Sequence, residues 1–266
     1  MRLGYIAYCF VIILMSSCTG YVSKKNTLVT AKDTLRYIYN TTKQRANDCG
    51  NNPDSACTVA ILKYPVFNNS PALNDRVKEN LVHLLWQDTG FAKNNDLQKF
   101  AIDFIDFYEH HKRKNSTVLF SLESSAKVLR QDSNLTTIYL SGSLYDGTGH
   151  GHDKFAFINW DHTASKTIEL YDIFIPGFHE QLTGIAEKIF RKQEDLSDTS
   201  SLTNYFFNNG KFALSNNFLI TQAGITFLYN EYEVKPYTEG STQIDIPYSQ
   251  IKLLLKPHTV VAQYLK

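Results

Sequence analysis

Apolar and polar positions mark strands along much of the chain and switch to a helical period in four places, the last of them short. Thr34 to Tyr39 has β character, and Thr58-Val59-Ala60-Ile61-Leu62-Lys63-Tyr64-Pro65 reads as a strand ended by Pro65. Ser70-Pro71 then opens a helix, with Ser as N-cap and Pro at the first helical position. Leu73, Val77, Leu81, Leu84 and Leu85 recur at helical spacing, and Gly90 falls just past its end. A second helix is predicted from about Asp96 to His111, with Leu97, Phe100, Ala101, Phe104, Ile105 and Tyr108 as its apolar stripe. The basic run His110 to Lys114 suits a helix C-terminus.

From Ser116 the period returns to two. Val118–Leu122, Thr136–Leu140 and Lys154–Trp160 read as antiparallel strands, and Thr167–Leu170 as a further one. Phe178 to Lys192 is a third helix, with Leu182, Ile185, Ala186 and Ile189 inward. Phe218–Thr221 and Ile225–Tyr229 flank Gly224 as a hairpin, and Pro247 starts a short helix. Helices packed on antiparallel sheet give an α+β fold. One continuous domain over 32–266 and two lobes with a boundary near 115–135 both fit this pattern.

Composition narrows the function classes. The apolar fraction, 43%, is that of a globular protein, and a net charge of +1 gives no basic surplus for nucleic acid. At the N-terminus, Arg2 precedes an apolar run closing on Ser16-Ser17-Cys18. Residues 3–17 fall short of the roughly 20 apolar residues of a spanning helix. A basic start, an apolar core and small residues before a cut site make a secretory signal. The Cys after them resembles the lipobox of bacterial lipoproteins. That resemblance implies a signal peptide over 1–17, lipidation at Cys18, and a lipidated polar tether over 18–31. It would place the protein outside the cytoplasm on a membrane anchor. Thr19 after the Cys favours the outer membrane in a two-membrane cell. Cys9 would leave with the signal, so Cys49 and Cys57 remain as a pair, which outside the cytoplasm reads as a disulfide.

Several segments are similar, in order and spacing, to one family. These are Cys57 to Phe67 with the Asn74 helix, Tyr145-Asp146-Gly147-Thr148-Gly149-His150-Gly151, Asn159-Trp160-Asp161, Ile168 to Phe174, Gly224 to Glu233, and Ile244 to Tyr248. They resemble the extracytoplasmic module that accompanies the deacetylase PdaC and the anti-sigma factor RsiV. Thr148-Gly149 replaces that family's glycine-alanine step, and Asn230 to Glu233 departs from its proline-tyrosine-glutamate. The resemblance implies a non-catalytic binding module for a lysozyme-like muramidase or for peptidoglycan, without the separate catalytic domain. Nucleic acid is not an expected partner.

Candidate chemistry is sparse. His150, His152 and Asp153 are metal ligands by type, and on a hairpin strand the two imidazoles would share a face. A metal-dependent glycan hydrolase or deacetylase built on them is the alternative function, and a structural subunit of an envelope complex is another. No third ligand is marked, and the same residues read as a Gly-rich turn. Neither a metal, a cofactor nor a catalytic residue is therefore assigned. No Gly-x-Ser-x-Gly elbow or phosphate-cradling loop is present. Asp161, Glu169 and Asp172 carry the types of a glycosidase pair but no marked separation. Tyr145, His150, His152, Tyr229 and Tyr232 are the binding candidates. On a strand, half of the 226–237 aromatics would face out.

Overall fold

The computed structural model describes residues 34–86, 95–113 and 117–265. Cys18, the tether and Gly90 lie outside them. Among the described residues no helix is long and apolar enough to cross a membrane. The fold is α+β, built on a six-stranded sheet of order β1-β2-β3-β4-β5-β6 and a three-stranded sheet of order β7-β8-β9.

β1 (Tyr37–Arg45) and β2 (Val59–Phe67) pair antiparallel, and the Cys49–Cys57 disulfide closes their connection with Cα atoms 5.3 Å apart. Asp54 in that loop pairs with Lys43 and Arg45 of β1. Pro65 does not end β2, as the sequence had suggested. Pairing of β2 with β3 stops at Lys63 and Ser125, so beyond it, among the described residues, β2 pairs with β1 alone. A residue without an N–H is tolerated where one side of a strand is free.

Two helices follow, α1 (Pro71–Trp86) and α2 (Leu97–His111), near the predicted bounds. Asn74 clamps the first turn of α1 to the end of β2. Its Oδ1 accepts from the Phe67 N–H at 2.7 Å, and its Nδ2 donates to the Phe67 carbonyl at 2.9 Å. Asp96 caps α2, accepting from the N–H groups of Gln98 and Lys99. The two helices cover one face of the large sheet. The contact of α1 with β4 is close: a Cβ on Gly142 would sit 2.6 Å from Leu85 Cγ.

β3 (Ser121–Gln131), β4 (Leu135–Tyr145), β5 (His152–Asp161) and the short β6 (Lys166–Thr167) form an antiparallel meander, while β3 meets β2 in parallel. β3 runs well beyond the predicted 118–122, because Glu123-Ser124-Ser125 reads as a turn yet lies on a strand. Past Thr167 the chain turns into a single helical turn, α3 (Leu170–Ile173), started by Asp172 accepting from the Glu169 N–H at 2.8 Å. α4 (Phe178–Gln193) buries Phe178, Leu182, Ala186 and Phe190, with Ile185 and Ile189 only partly covered. β7 (Phe218–Ile220), β8 (Gly224–Tyr229) and β9 (Thr242–Pro247) complete the small sheet, followed by α5 (Tyr248–Ile251). The alternation expected on β8 is absent: Ile225, Phe227 and Tyr229 lie in the second core, and Gly224, Thr226 and Leu228 on the other face are buried as well. β9 approaches so closely that a Cβ on Gly224 would fall 2.0 Å from the Ile246 carbonyl oxygen.

Two buried clusters result. One lies under α1 and α2 and holds Ala60, Leu62, Leu122, Ile138, Leu140 and Trp160. The other surrounds α4 and the small sheet and reaches β4 at Leu135. Asparagines join them along the outer edge of β5. Asn230 and Asn217 both bond to the Phe155 carbonyl, and each accepts from β5, Asn230 from Phe155 N–H and Asn217 from Phe157 N–H. Asn159, on β5, donates to the Phe218 carbonyl at 2.7 Å and accepts from the Ile220 N–H at 2.9 Å.

Replacing both Cys49 and Cys57 with Ala is expected to lower unfolding free energy by about 2–3 kcal/mol, read by urea titration under oxidising conditions. Asn159→Ala strips two buried backbone groups of their partners. It is expected to cost about 2–4 kcal/mol in the same assay, whereas an unchanged midpoint would mean that the seam adds nothing.

Candidate functional site

The β4–β5 turn is built by Asp146 and Gly147. Asp146 Oδ1 accepts from the N–H and hydroxyl of Thr148, at 3.0 and 2.6 Å, and Gly147 has φ +82°. A side chain at Gly147 would be strained by that dihedral and would strike Phe120, 2.3 Å from the Cβ position. The turn projects His150, whose ring stacks on Tyr237 at 5.4 Å and 14°. Tyr237 stacks in turn on Tyr232 at 5.8 Å and 25°. Tyr232 is 53% exposed and holds the left-handed backbone at φ +64°. That conformation is unusual outside glycine. It is imposed by the loop around it, where Asn230 N–H donates to Glu233 Oε2 at 3.0 Å and Glu233 N–H donates to the Asn230 carbonyl. Asn230 is itself anchored to β5.

A cavity of about 230 Å³ opens beside this ladder of rings, lined by His152, Asp153, Lys154 and Asn230–Glu233. The fold therefore gathers His150, His152 and Tyr232 at one surface. It does not gather the other two binding candidates. Tyr145 ends β4 opposite Ser121, half-buried, with no ring contact among the described residues. Tyr229 is a core residue at 4% exposure. Its hydroxyl donates to the Ala213 carbonyl at 2.7 Å and accepts from the Ser215 N–H, and burial pushes its phenol well up. Tyr237 completes the ladder. It stood out in sequence only as one more aromatic of the 226–237 segment, because its partner His150 lies far away in the chain.

The shared strand face expected for His150 and His152 does not form. β5 begins at His152 and pairs it with Leu144, leaving His150 in the turn. Among the described residues, no three His, Cys, Asp or Glu side chains converge to hold a metal ion.

The carboxylates read as a glycosidase pair fall elsewhere. A cavity of about 480 Å³ is lined by Asp161, Lys166, Asp172, His258 and neighbours. Burial alone would raise Asp172. The Lys166 hydrogen bond at 2.5 Å, the Glu169 N–H and the nearby ammonium charges outweigh it and hold the carboxyl below its usual range. A glycosidase needs one carboxyl kept protonated to donate to the leaving group. Asp172 is held in the opposite state.

Against known proteins, residues 171–249 match the family model described as "Protein of unknown function (DUF3298)". A DUF3298 domain is present. It begins within α3 and supplies Asn217, Asn230, Tyr232 and Tyr237, while His150 and His152 precede it. Two solved structures are similar in fold. A DUF3298 family protein from Pseudomonas aeruginosa PAO1 is 22% identical with a TM-score of 0.66, over 84% of this chain and 95% of that one. A member of the DUF3298 family from Bacteroides fragilis is 22% identical with a TM-score of 0.63, over 86% and 97%. No curated protein matches the chain.

Because the folded-state pKa of Asp172 is depressed, its stabilisation is present above the unfolded value near 3.8. It is lost as pH falls through the folded value. Asp172→Asn is expected to lower the thermal midpoint at pH 7 and to leave a smaller difference from the parent protein at pH 2. A constant difference across that range would remove the ion-pair account.

Proposed function

We propose that the protein is a cell-envelope binding module, held outside the cytoplasm by lipid on Cys18, in the outer membrane where there are two. Its partner is a basic protein of the lysozyme-like muramidase class. The observation that carries this reading is the exposed ladder of His150, Tyr237 and Tyr232. Rigid aromatic groups with a polar tip serve as binding anchors because they bury much area at small entropic cost. Around them, Asp146, Asp153, Glu231, Glu233 and Glu239 outnumber Lys154 and Lys235, and Lys235 is already paired with Glu194 at 2.9 Å. Such a field favours a cationic partner. The resemblance to the RsiV- and PdaC-type modules, in which DUF3298 domains occur, supports the same class of partner.

Calorimetric titration of residues 19–266 with lysozyme, at two salt concentrations, tests the reading. Stoichiometric binding that weakens with salt is expected, with His150→Ala and Tyr232→Ala each losing about tenfold in affinity at an unchanged thermal midpoint. No heat of binding at either salt would sink the proposal.

A further inference from the structure

Beyond the ladder, the large sheet carries a second surface. α1 and α2 cover one of its faces. The opposite face is divided. At one end Leu135, Thr137 and Asn159 are buried under the second core, whereas the other end is open. On that open end the registers align two rows across four strands, spanning three inter-strand steps, about 14 Å. One row is Ile61, Glu123, Ser143 and Asp153, and the next is Lys63, Ser125, Ser141 and Phe155.

The residue types make this face a trough. Serine is a short side chain at positions where strands usually carry β-branched or aromatic residues. Ser125 and Ser141, whose hydroxyls lie 2.8 Å apart, and Ser143 therefore leave a depression of about 350 Å³. The wall is aromatic: Tyr139 stacks on Phe155 at 5.8 Å and 12°, and burial raises the Tyr139 phenol. At the far end, Lys63 lies over the Tyr39 ring at 5.6 Å. Among the described residues, the side chains of Glu123, Ser143 and Asp153 have no hydrogen-bond partner.

The trough is not closed at β5. Asp153 also lines the cavity beside Tyr232, and Glu233 of that cavity also lines a third, of about 400 Å³, at the exposed Phe206. The trough and the cavity beside Tyr232 thus share Asp153 of β5 as a common wall.

We propose that this trough binds a linear glycan, with a pyranose face against Phe155 and sugar hydroxyls on Ser143, Glu123 and Asp153. Stacked rings together with donors and acceptors of both polarities suit a polyhydroxylated chain. One lysine facing two carboxylates does not suit a polyanion. The assignment does not depend on muramidase recognition, though both surfaces include Asp153.

The test titrates the full chain with the hexamer of N-acetylglucosamine and with peptidoglycan glycan strands stripped of their peptides. Saturable binding of both is expected. Ser143→Phe, which fills the trough, is expected to weaken it at least tenfold, and Glu123→Gln severalfold, with circular dichroism and lysozyme titration unchanged. Four results would overturn the proposal: no binding by the folded protein, affinity indifferent to both substitutions, binding confined to strands that retain their peptides, or preference for an anionic polymer. Because lysozyme is titrated in parallel, failure of the glycan site and failure of the muramidase reading are told apart.

Discussion

Everything in this molecule depends on how the outer edge of β5 is satisfied. An exposed strand edge offers unpaired N–H and C=O groups, which natural sheets pair, cover or blunt. Here β6 pairs only the last two residues of β5, and the rest is met by amide side chains. A carboxamide carries one acceptor and two donors on a short stem, so it can mimic the backbone of a missing strand. Asn217 and Asn230 do this for Phe155 and Phe157, and Asn159 does the converse for β7. The two sheets become continuous without sharing a ladder, and two cores are locked at a fixed offset.

That offset determines what the surface offers. It brings the Tyr232 loop against the His150 turn, which are separate in sequence, and it leaves half of one sheet face uncovered. The asparagine that holds the edge, Asn230, is also the residue that braces the loop through Glu233. Scaffold and site are therefore one hydrogen-bonded unit, and the rings of the ladder are positioned by backbone pairing rather than by a flexible tip.

Much of the fold was legible because burial enforces a period. α1, α2 and α4 announced themselves through apolar spacing and through Ser70-Pro71 and Asp96 at their starts. The disulfide followed from Cys49 and Cys57 being the two cysteines left once Cys9 and Cys18 are read as part of an export signal. The extent of β3 was hidden because its outward positions are Glu123, Ser125 and Lys127, whose polarity signals a turn when no neighbour is known. β8 lost its alternation because its second face, Gly224, Thr226 and Leu228, is buried too, which local pattern does not reveal. β9 was not read as a strand, since its one-to-one alternation is only six residues long and ends in Pro247. Of the site, the residue types at His150, His152 and Tyr232 were visible. Their meeting was not, since it is a long-range consequence of the asparagine seam. Tyr229 shows the reverse: an aromatic that looked available and is used as core.

The parallel pairing of β2 with β3 carries a consequence for how the chain reaches this state. β1 with β2, and β3 with β4 and β5, close through short connections. The seam between these groups joins strands separated by the whole of α1 and α2, so its entropy cost falls due before any of its hydrogen bonds are made. Loop closure therefore makes the join between the disulfide-closed β1–β2 hairpin and β3–β5 the most entropically costly pairing in the large sheet.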